Sequence, residues 1–483
     1  MHFLRASRYL VLALVLVAAC KKDGHDNTCT FGDDATCNGA QVCEQVVGQD
    51  PQCFDPVVVR GRVFDASDDS AIADATVVGI DVSGALVASS VTTDATGVYE
   101  LSVPATRHPD GTLVSGSITL RVDASGYLAF PKAPRIALPI DLTTGVVEDG
   151  RILVSSVATD VSLFALPAGT YGSIVGAISG VDARGALVVA DQGVPASAVS
   201  TAIVDADGTY ELWNVPVGVA TTVSVYAAGV HVTPATTTVP GASPAVVVDF
   251  VSDAVGLATV SGGLNIVAGA SFTSTSVILV AESTYSALLK AGYMPLGLRD
   301  GTVTSADTSF SIANVPPGRY VLLASFENDG LVRDPDTSIA GTDVRFVQVS
   351  DAGAVTVTSA RSEDLVSIKV TDPIGVVGPG ATGLEVVTAV PTFRWSKYPG
   401  VDHYEIRLFD AFGTLVYQDT AIAPQGGADP VVYDLVAGSF VPAAASVSLA
   451  SGMVYQFRVV AIKTSGAPIS STEDLLGVFQ FQP

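Results

Sequence analysis

The chain has 483 residues, a formal net charge of −24, and 15% charged against 48% apolar residues. Such acidity argues against nucleic acid as a partner and against a polybasic grip on anionic lipid. The apolar content argues against disorder, and the length fits about three to five domains.

Residues 1–19 read as an export signal. Arg5 and Arg8 give it a basic start, and Tyr9 to Ala19 form an apolar run too short to cross a bilayer as a helix. The run ends in Val17-Ala18-Ala19-Cys20, which resembles the lipobox of bacterial lipoproteins. The resemblance implies cleavage before Cys20, diacylglycerol on its sulfur, and acylation of the new amino group, with palmitate as the expected kind of chain. Three acyl chains would anchor firmly, at ~0.8 kcal/mol per buried CH₂. Lys21-Lys22 follows, with no Asp at the second position; by the lipoprotein sorting rule this favours the outer membrane, at its surface or its periplasmic face.

All five cysteines lie within the first 53 residues. With Cys20 taken by lipid, Cys29, Cys37, Cys43 and Cys53 remain, in a segment rich in Asp, Gly and Asn. Residues 20–56 therefore form a tether, and two disulfides in one of three connectivities are expected there. Zinc is the other chemistry that four cysteines offer. It is disfavoured here because no Cys-x-x-Cys occurs and His25 is the one nearby imidazole. The tether is expected to hold the first sandwich away from the membrane.

A longer motif then recurs three times. It reads Asp94-Ala95-Thr96-Gly97-Val98-Tyr99 through Pro104, Asp205-Ala206-Asp207-Gly208-Thr209-Tyr210 through Pro216, and Ser305-Ala306-Asp307-Thr308-Ser309-Phe310 through Pro316. The aromatics are 111 and 100 residues apart, a domain-sized period. Asp and Gly make a tight turn, the aromatic opens a strand of period two, and Pro ends it. The second and third copies hold one more residue between aromatic and Pro, which a bulge before the Pro would absorb.

The first unit, 57–160, strings together Arg60-Gly61-Arg62-Val63, Ala73-Asp74-Ala75-Thr76-Val77, the turn motif, and a strand ending in Gly126-Tyr127. This order resembles the carboxypeptidase regulatory-like domain, which implies a transthyretin-like β-sandwich used as a stalk or accessory module. The second unit, 161–255, keeps the motif and lacks a Gly-Tyr ending. The third, 256–361, diverges further. Val277-Ile278-Leu279-Val280-Ala281 stands where the Ala-x-Val strand belongs, and Tyr285 to Gly292 is expected to make two helical turns. Val321-Leu322-Leu323-Ala324 reads as a strand buried on both faces.

The acids Glu327, Asp329, Asp334, Asp336 and Asp343 follow, with Asn328. Calcium takes such oxygen ligands, but the spacing matches no EF-hand and solvated loop acids fit equally well. Asp205-x-Asp207 invites the same reading. Neither other copy keeps both acids, so a plain turn is expected there.

From 362 to 483 the pattern changes. Thr392-Phe393-Arg394-Trp395, Tyr404-Glu405-Ile406-Arg407-Leu408 and Leu449-x-x-Gly452-x-x-Tyr455 resemble a fibronectin type III domain. The resemblance makes Trp395 the core tryptophan and Tyr455 a corner tyrosine bonded back to the chain.

His25, His108, His231 and His403 lie far apart, and no nucleophile elbow, P-loop or zinc-peptidase signature occurs. The expectation is an all-β tandem array of Greek-key β-sandwich domains behind a lipoprotein signal and a short disulfide-rich tether. It is a non-enzymatic, membrane-anchored stalk for adhesion or protein interaction, with no catalytic residue, cofactor or resident metal. The alternative is a carbohydrate-binding lipoprotein, with Tyr285, Tyr293, Tyr398 and Phe412 as its exposed aromatics. Short linkers between the units predict a semi-extended rod.

Overall fold

Strand Val98–Val103 shows how the motif builds a core. Tyr99, Leu101 and Val103 are buried while Glu100 and Ser102 face water, the period-two pattern of a half-buried strand. The computed structural model describes residues 28–30, 36–39, 41–81, 85–87, 90–193, 195–253, 256–267, 272, 274–324, 330–336, 345–358, 367–424, 426, 429–435 and 448–483. The signal 1–19, Cys20, Lys21, Lys22, His25 and the linker 359–363 lie outside them. Among the described residues, no helix is long and apolar enough to cross a membrane.

The protein is all-β. In the first sandwich, strand Val57–Asp65 pairs antiparallel with Val98–Val103 and parallel with Arg151–Val154 and Val161–Leu163. The facing sheet holds Val91–Thr92, Thr76–Ile80, Ser117–Asp123 and Ile140–Asp141. The second sandwich repeats the plan. Tyr171–Ser179 pairs with Thr209–Pro216 and, in parallel, with Val246–Val247 and Phe250–Val251, opposite a sheet built on Leu187–Gln192, Ser197–Ile203, Ala220–Tyr226 and Ala235–Thr238. In the third, Ala258–Ile266 pairs with Ser309–Val315 and, in parallel, with Ser367–Thr371.

Each of these units thus ends on a short strand that returns parallel beside its first. Val161–Leu163 and Ser367–Thr371 therefore belong to the first and third cores, beyond the sequence boundaries at 160 and 361; Val161, Leu163, Ile368 and Val370 are all buried there. The last sandwich sets Val376–Gly378, Thr392–Trp395 and Val431–Asp434 against a sheet centred on His403–Asp410 and Val454–Ile462. Trp395 is fully buried edge-on to Tyr404, and the Tyr455 hydroxyl accepts the Ala450 N–H at 2.8 Å, as a corner tyrosine does.

The extra residue before Pro is a bulge in both copies that have it. Gly172 pairs with Val215 and Ile174 with Leu212, so three steps on one strand face two on the other. Ala258 with Val315 and Val260 with Ile312 do the same, whereas the first sandwich pairs without a break. Asn214 and Asn314 occupy the bulges at φ +61° and +57°, a conformation Asn tolerates better than most residues.

A second repeated device fixes the aromatic. Gly61 lies opposite Tyr99, and a Cβ there would sit 1.9 Å from the Thr159 oxygen, to which the Tyr99 hydroxyl donates at 2.6 Å. Gly176 lies opposite Tyr210, a Cβ would sit 1.8 Å from the Val248 oxygen, and Tyr210 donates to that oxygen at 2.6 Å. The absent side chain lets a crossing segment reach the sheet, and the phenol satisfies its carbonyl. The third copy keeps the pairing as Gly262 with Phe310 and has no hydroxyl to give.

Two expectations are corrected. Tyr285 to Gly292 forms no helix: Ser286 bridges Ala291, and Lys290 turns the chain at φ +51°. Nor is the array a semi-extended rod. Each sandwich touches the next, and the last folds back onto the first, where Phe409, Ala411, Val454 and Val478 join the first core. Short linkers limit the distance between neighbours but leave free the angle at which they meet, and buried apolar surface sets that angle.

Candidate functional site

The tether is a hairpin. Val42–Val46 pairs with Gln49–Phe54, which places Cys43 opposite Cys53. Disulfides join Cys29 to Cys43 and Cys37 to Cys53, deciding among the three connectivities. The hairpin does not hang free of the first sandwich. Val42–Val46 also pairs in parallel with Thr106–Arg107, and Glu44, 0% exposed, accepts Arg107 Nε at 2.5 Å and the Ala105 N–H at 3.1 Å. Arg107 also donates to the oxygens of Asp55 and Gly111 and stacks over Phe54. Leaving either buried charge alone would cost roughly 3–5 kcal/mol, so the pair holds the tether to the domain.

The joints between sandwiches gather most of the remaining polar chemistry. The bulge residue Asn214 donates to the oxygens of Ala124 and Tyr127 at 2.8 and 3.0 Å and accepts the Gly126 N–H at 2.8 Å. One module on, the backbone oxygen of Asn314 accepts the Gly229 N–H at 2.8 Å, where Asn214 uses its side-chain oxygen. Ala227-Ala228-Gly229-Val230 is thus the second unit's version of Ala124-Ser125-Gly126-Tyr127. Its fourth residue closes the same turn onto its first, so the missing Gly-Tyr ending is a Gly-Val one. Arg121, 2% exposed, binds three modules together: it pairs with Asp123 at 2.9 Å, bonds Thr201 of the second sandwich, and lies 4.1 Å over the Tyr293 ring of the third.

Between first and last, Arg135 donates to the Phe412 oxygen at 2.7 and 2.9 Å and to Ser162, and Ile136 N–H donates to the Gly413 oxygen at 3.2 Å. Burial pulls the Arg135 guanidinium down to about 10, against the favourable pull of Asp410. Phe412 packs edge-on against Phe64 at 5.6 Å.

The sequence candidates fall into these joints or into turns. Asp94, Asp207 and Asp307 each hold a turn by accepting the hydroxyl and N–H of Thr96, Thr209 and Ser309. Those hydroxyl bonds, then the N–H bonds, keep all three carboxyls below the ordinary range. Their help to the turns is therefore full above the ordinary Asp value and fades as pH falls through the lowered ones. Asp205 accepts Ser90 of the first sandwich at 2.8 Å, so the Asp205–Asp207 pair is turn and joint chemistry.

Asp334 and Asp336, from the acidic loop, are buried. Asp336 pairs with Lys463 of the last sandwich and its N–H donates to Asp334. Glu327, Asn328, Asp329 and Asp343 lie outside the described residues. His231 meets Asp253 through Nδ1 and lines a cleft of about 320 Å³ between the second and third sandwiches with Tyr226, Arg319 and Gln348. His403 pairs with its neighbour Asp402, and His108 is exposed. The four aromatics proposed for a sugar platform are half-buried at separate contacts. Tyr293 lies under Arg121, Phe412 against Phe64, Tyr398 bonds Thr371 at 2.9 Å, and Tyr285 packs beside Ile278 and Val280.

Nothing in the sequence marked Glu44, Arg107, Arg121 or Arg135. Asn214 did carry a signal, the extra residue before Pro216.

No protein-family profile and no curated protein matches the chain. Among solved structures, similarity is found to the Bacillus anthracis TIE protein at 10% identity and a TM-score of 0.15, covering 66% of this chain and 50% of that one, so the match spans half of that protein. BcpA, the major pilin subunit of Bacillus cereus, matches at 11% identity and a TM-score of 0.17, over 66% of this chain and 99% of that one. The shaft pilin spaA from Lactobacillus rhamnosus GG matches at 11% identity and a TM-score of 0.17, over 41% and 96%. At these scores the likenesses carry no argument, and the β-sandwich assignment rests on the sheets described above.

Proposed function

We propose that the chain is a non-enzymatic lipoprotein, anchored through Cys20 in the bacterial outer membrane, whose sandwiches form a short, thick stalk that presents a protein-contact surface. The first three would be carboxypeptidase regulatory-like units and the last a fibronectin type III-like unit. The observation that carries this reading is where the polar side chains go. Arg121, Arg135, Asn214, Asp205 and Asp336 hold module to module, and Glu44 with Arg107 holds the tether to the first module. An architecture of joints suits a protein that must hold a shape at a membrane. The alternative, a carbohydrate-binding lipoprotein, has no comparable support, since its candidate aromatics are each engaged at a separate contact.

Replacing Cys20 with Ser tests the anchor. Metabolic labelling with a fatty acid should mark the wild type and leave C20S unlabelled and uncleaved. Equal labelling and processing of the two proteins would remove the lipoprotein reading.

A further inference from the structure

We propose that the tether is a redox-dependent metal site: once its two disulfides are reduced, Cys29, Cys37, Cys43 and Cys53 bind one zinc ion as a tetrathiolate. Spacing alone disfavours zinc, because the intervals are long and no Cys-x-x-Cys occurs. The hairpin supplies what the spacing lacks. The Sγ atoms of Cys29, Cys37 and Cys53 all lie within 4.8 Å of one another, and Cys43 Sγ is bonded to that of Cys29. Sulfurs from both disulfides therefore share one three-sulfur group, with Cys43 Sγ tied to its edge through Cys29.

A tetrahedral zinc with Zn–S near 2.3 Å sets its sulfurs about 3.8 Å apart. Opening each disulfide to that distance moves each sulfur by about an ångström, and Cys43 Sγ, outside the close group, must also swing toward it. The frame that would hold them does not depend on the S–S bonds alone. Cys43 and Cys53 face each other across paired strands, both are buried, and the Glu44–Arg107 pair fixes the hairpin to the first sandwich. Cys43 and Cys53 would shield the metal on the hairpin side, while Cys29 and Cys37, half-buried, would close it from the other.

The chemistry balances with a dithiol as reductant. Each protein disulfide takes two electrons and two protons, giving two thiols, while the dithiol becomes a disulfide. Four thiols then bind Zn²⁺ and release four protons, so affinity rises with pH. Oxidised tether and zinc-loaded tether are alternative ways of tying the same hairpin, and zinc would occupy it wherever reductant keeps the thiols free.

The test uses the purified full-length protein, oxidised or reduced by a phosphine without oxygen, titrated with Zn²⁺ against a chromophoric chelator and with Co²⁺ as a spectroscopic probe. The reduced protein should take one ion per chain, show the thiolate charge-transfer and tetrahedral bands of Co²⁺, and reoxidise more slowly when loaded. The oxidised protein should take none. C37S should weaken binding by more than about 100-fold, beyond what loss of an outer-shell partner causes. C20S, which removes the one cysteine outside the cluster, should leave it unchanged. Because C37S could also loosen the hairpin, the Co²⁺ spectrum of the reduced wild type is the independent readout. Octahedral Co²⁺ bands, less than one ion per reduced chain, or binding that survives replacement of all four cysteines would each overturn the proposal.

Discussion

Replacing Tyr99 with Ala is expected to unfold the first sandwich and to weaken the last one with it. Tyr99 is 2% exposed, and its ring fills the space between strand Val57–Asp65 and the facing sheet. Losing a buried aromatic ring costs roughly 3–5 kcal/mol through lost burial and the cavity left behind. The Thr159 oxygen then loses its donor at a point where Gly61 admits it to the interior, adding roughly 1–3 kcal/mol. Together these approach the whole stability of an ordinary domain, about 5–15 kcal/mol.

The conservative change Tyr99→Phe keeps the ring and loses only the second term. The third sandwich already lives with that arrangement at Phe310. Because Phe409, Ala411, Val454 and Val478 pack into the same core, calorimetry of Y99A should show the first transition lost and the last sandwich's transition lowered. Modules with independent cores would leave the last transition where it was.

Replacing Gly413 with Val should have the second largest effect, and a different one. Gly413 sits at φ +75°, and a Cβ there would lie 1.9 Å from the Ile136 oxygen and 2.9 Å from its nitrogen. No flexible side-chain end can yield, because every blocking atom is backbone. The left-handed conformation alone costs a branched residue about 1–2 kcal/mol. The clash should do more, driving the turn Asp410–Thr414 off the first sandwich and breaking the Arg135 and Ile136 bonds to Phe412 and Gly413.

The last sandwich keeps its own core around Phe393, Trp395, Tyr404 and Phe457, so it should stay folded while the closure opens. Limited proteolysis with chymotrypsin should then cut the variant at Phe412, in the freed turn, faster than wild type, and Arg135→Ala should show a smaller change of the same kind. Equal cleavage of G413V and wild type would show that the contact between first and last sandwich does not hold the molecule closed.

These outcomes mark where the sequence stops being readable. The sandwiches themselves were legible, because Asp-x-x-Gly, an aromatic and a Pro at domain spacing specify a turn, a half-buried strand and its end. The bulge was legible too, since one added residue between Tyr210 and Pro216 has nowhere else to go. The apolar residues of Val321–Ala324 announced burial on both faces. They did not say that Ala85 of the first sandwich and Met294 would cover the second face.

The joints were illegible for a related reason. Arg121, Arg135 and Glu44 look like surface charges until another part of the fold removes their water, and that part lies tens to hundreds of residues away. A tandem order of domains predicts a string, and only apolar residues exposed on a single module, such as Phe64 and Phe412, could have warned of closure. The same holds for the tether, whose four cysteines converge through strand pairing and not through spacing.

Small-angle X-ray scattering from the soluble protein tests the closed arrangement most directly. Four sandwiches packed on one another should give a radius of gyration of about 23–26 Å, near the compact-chain scaling for this length. A radius of roughly 40 Å or more, the value for four such bodies in line, would contradict the account and restore the extended rod.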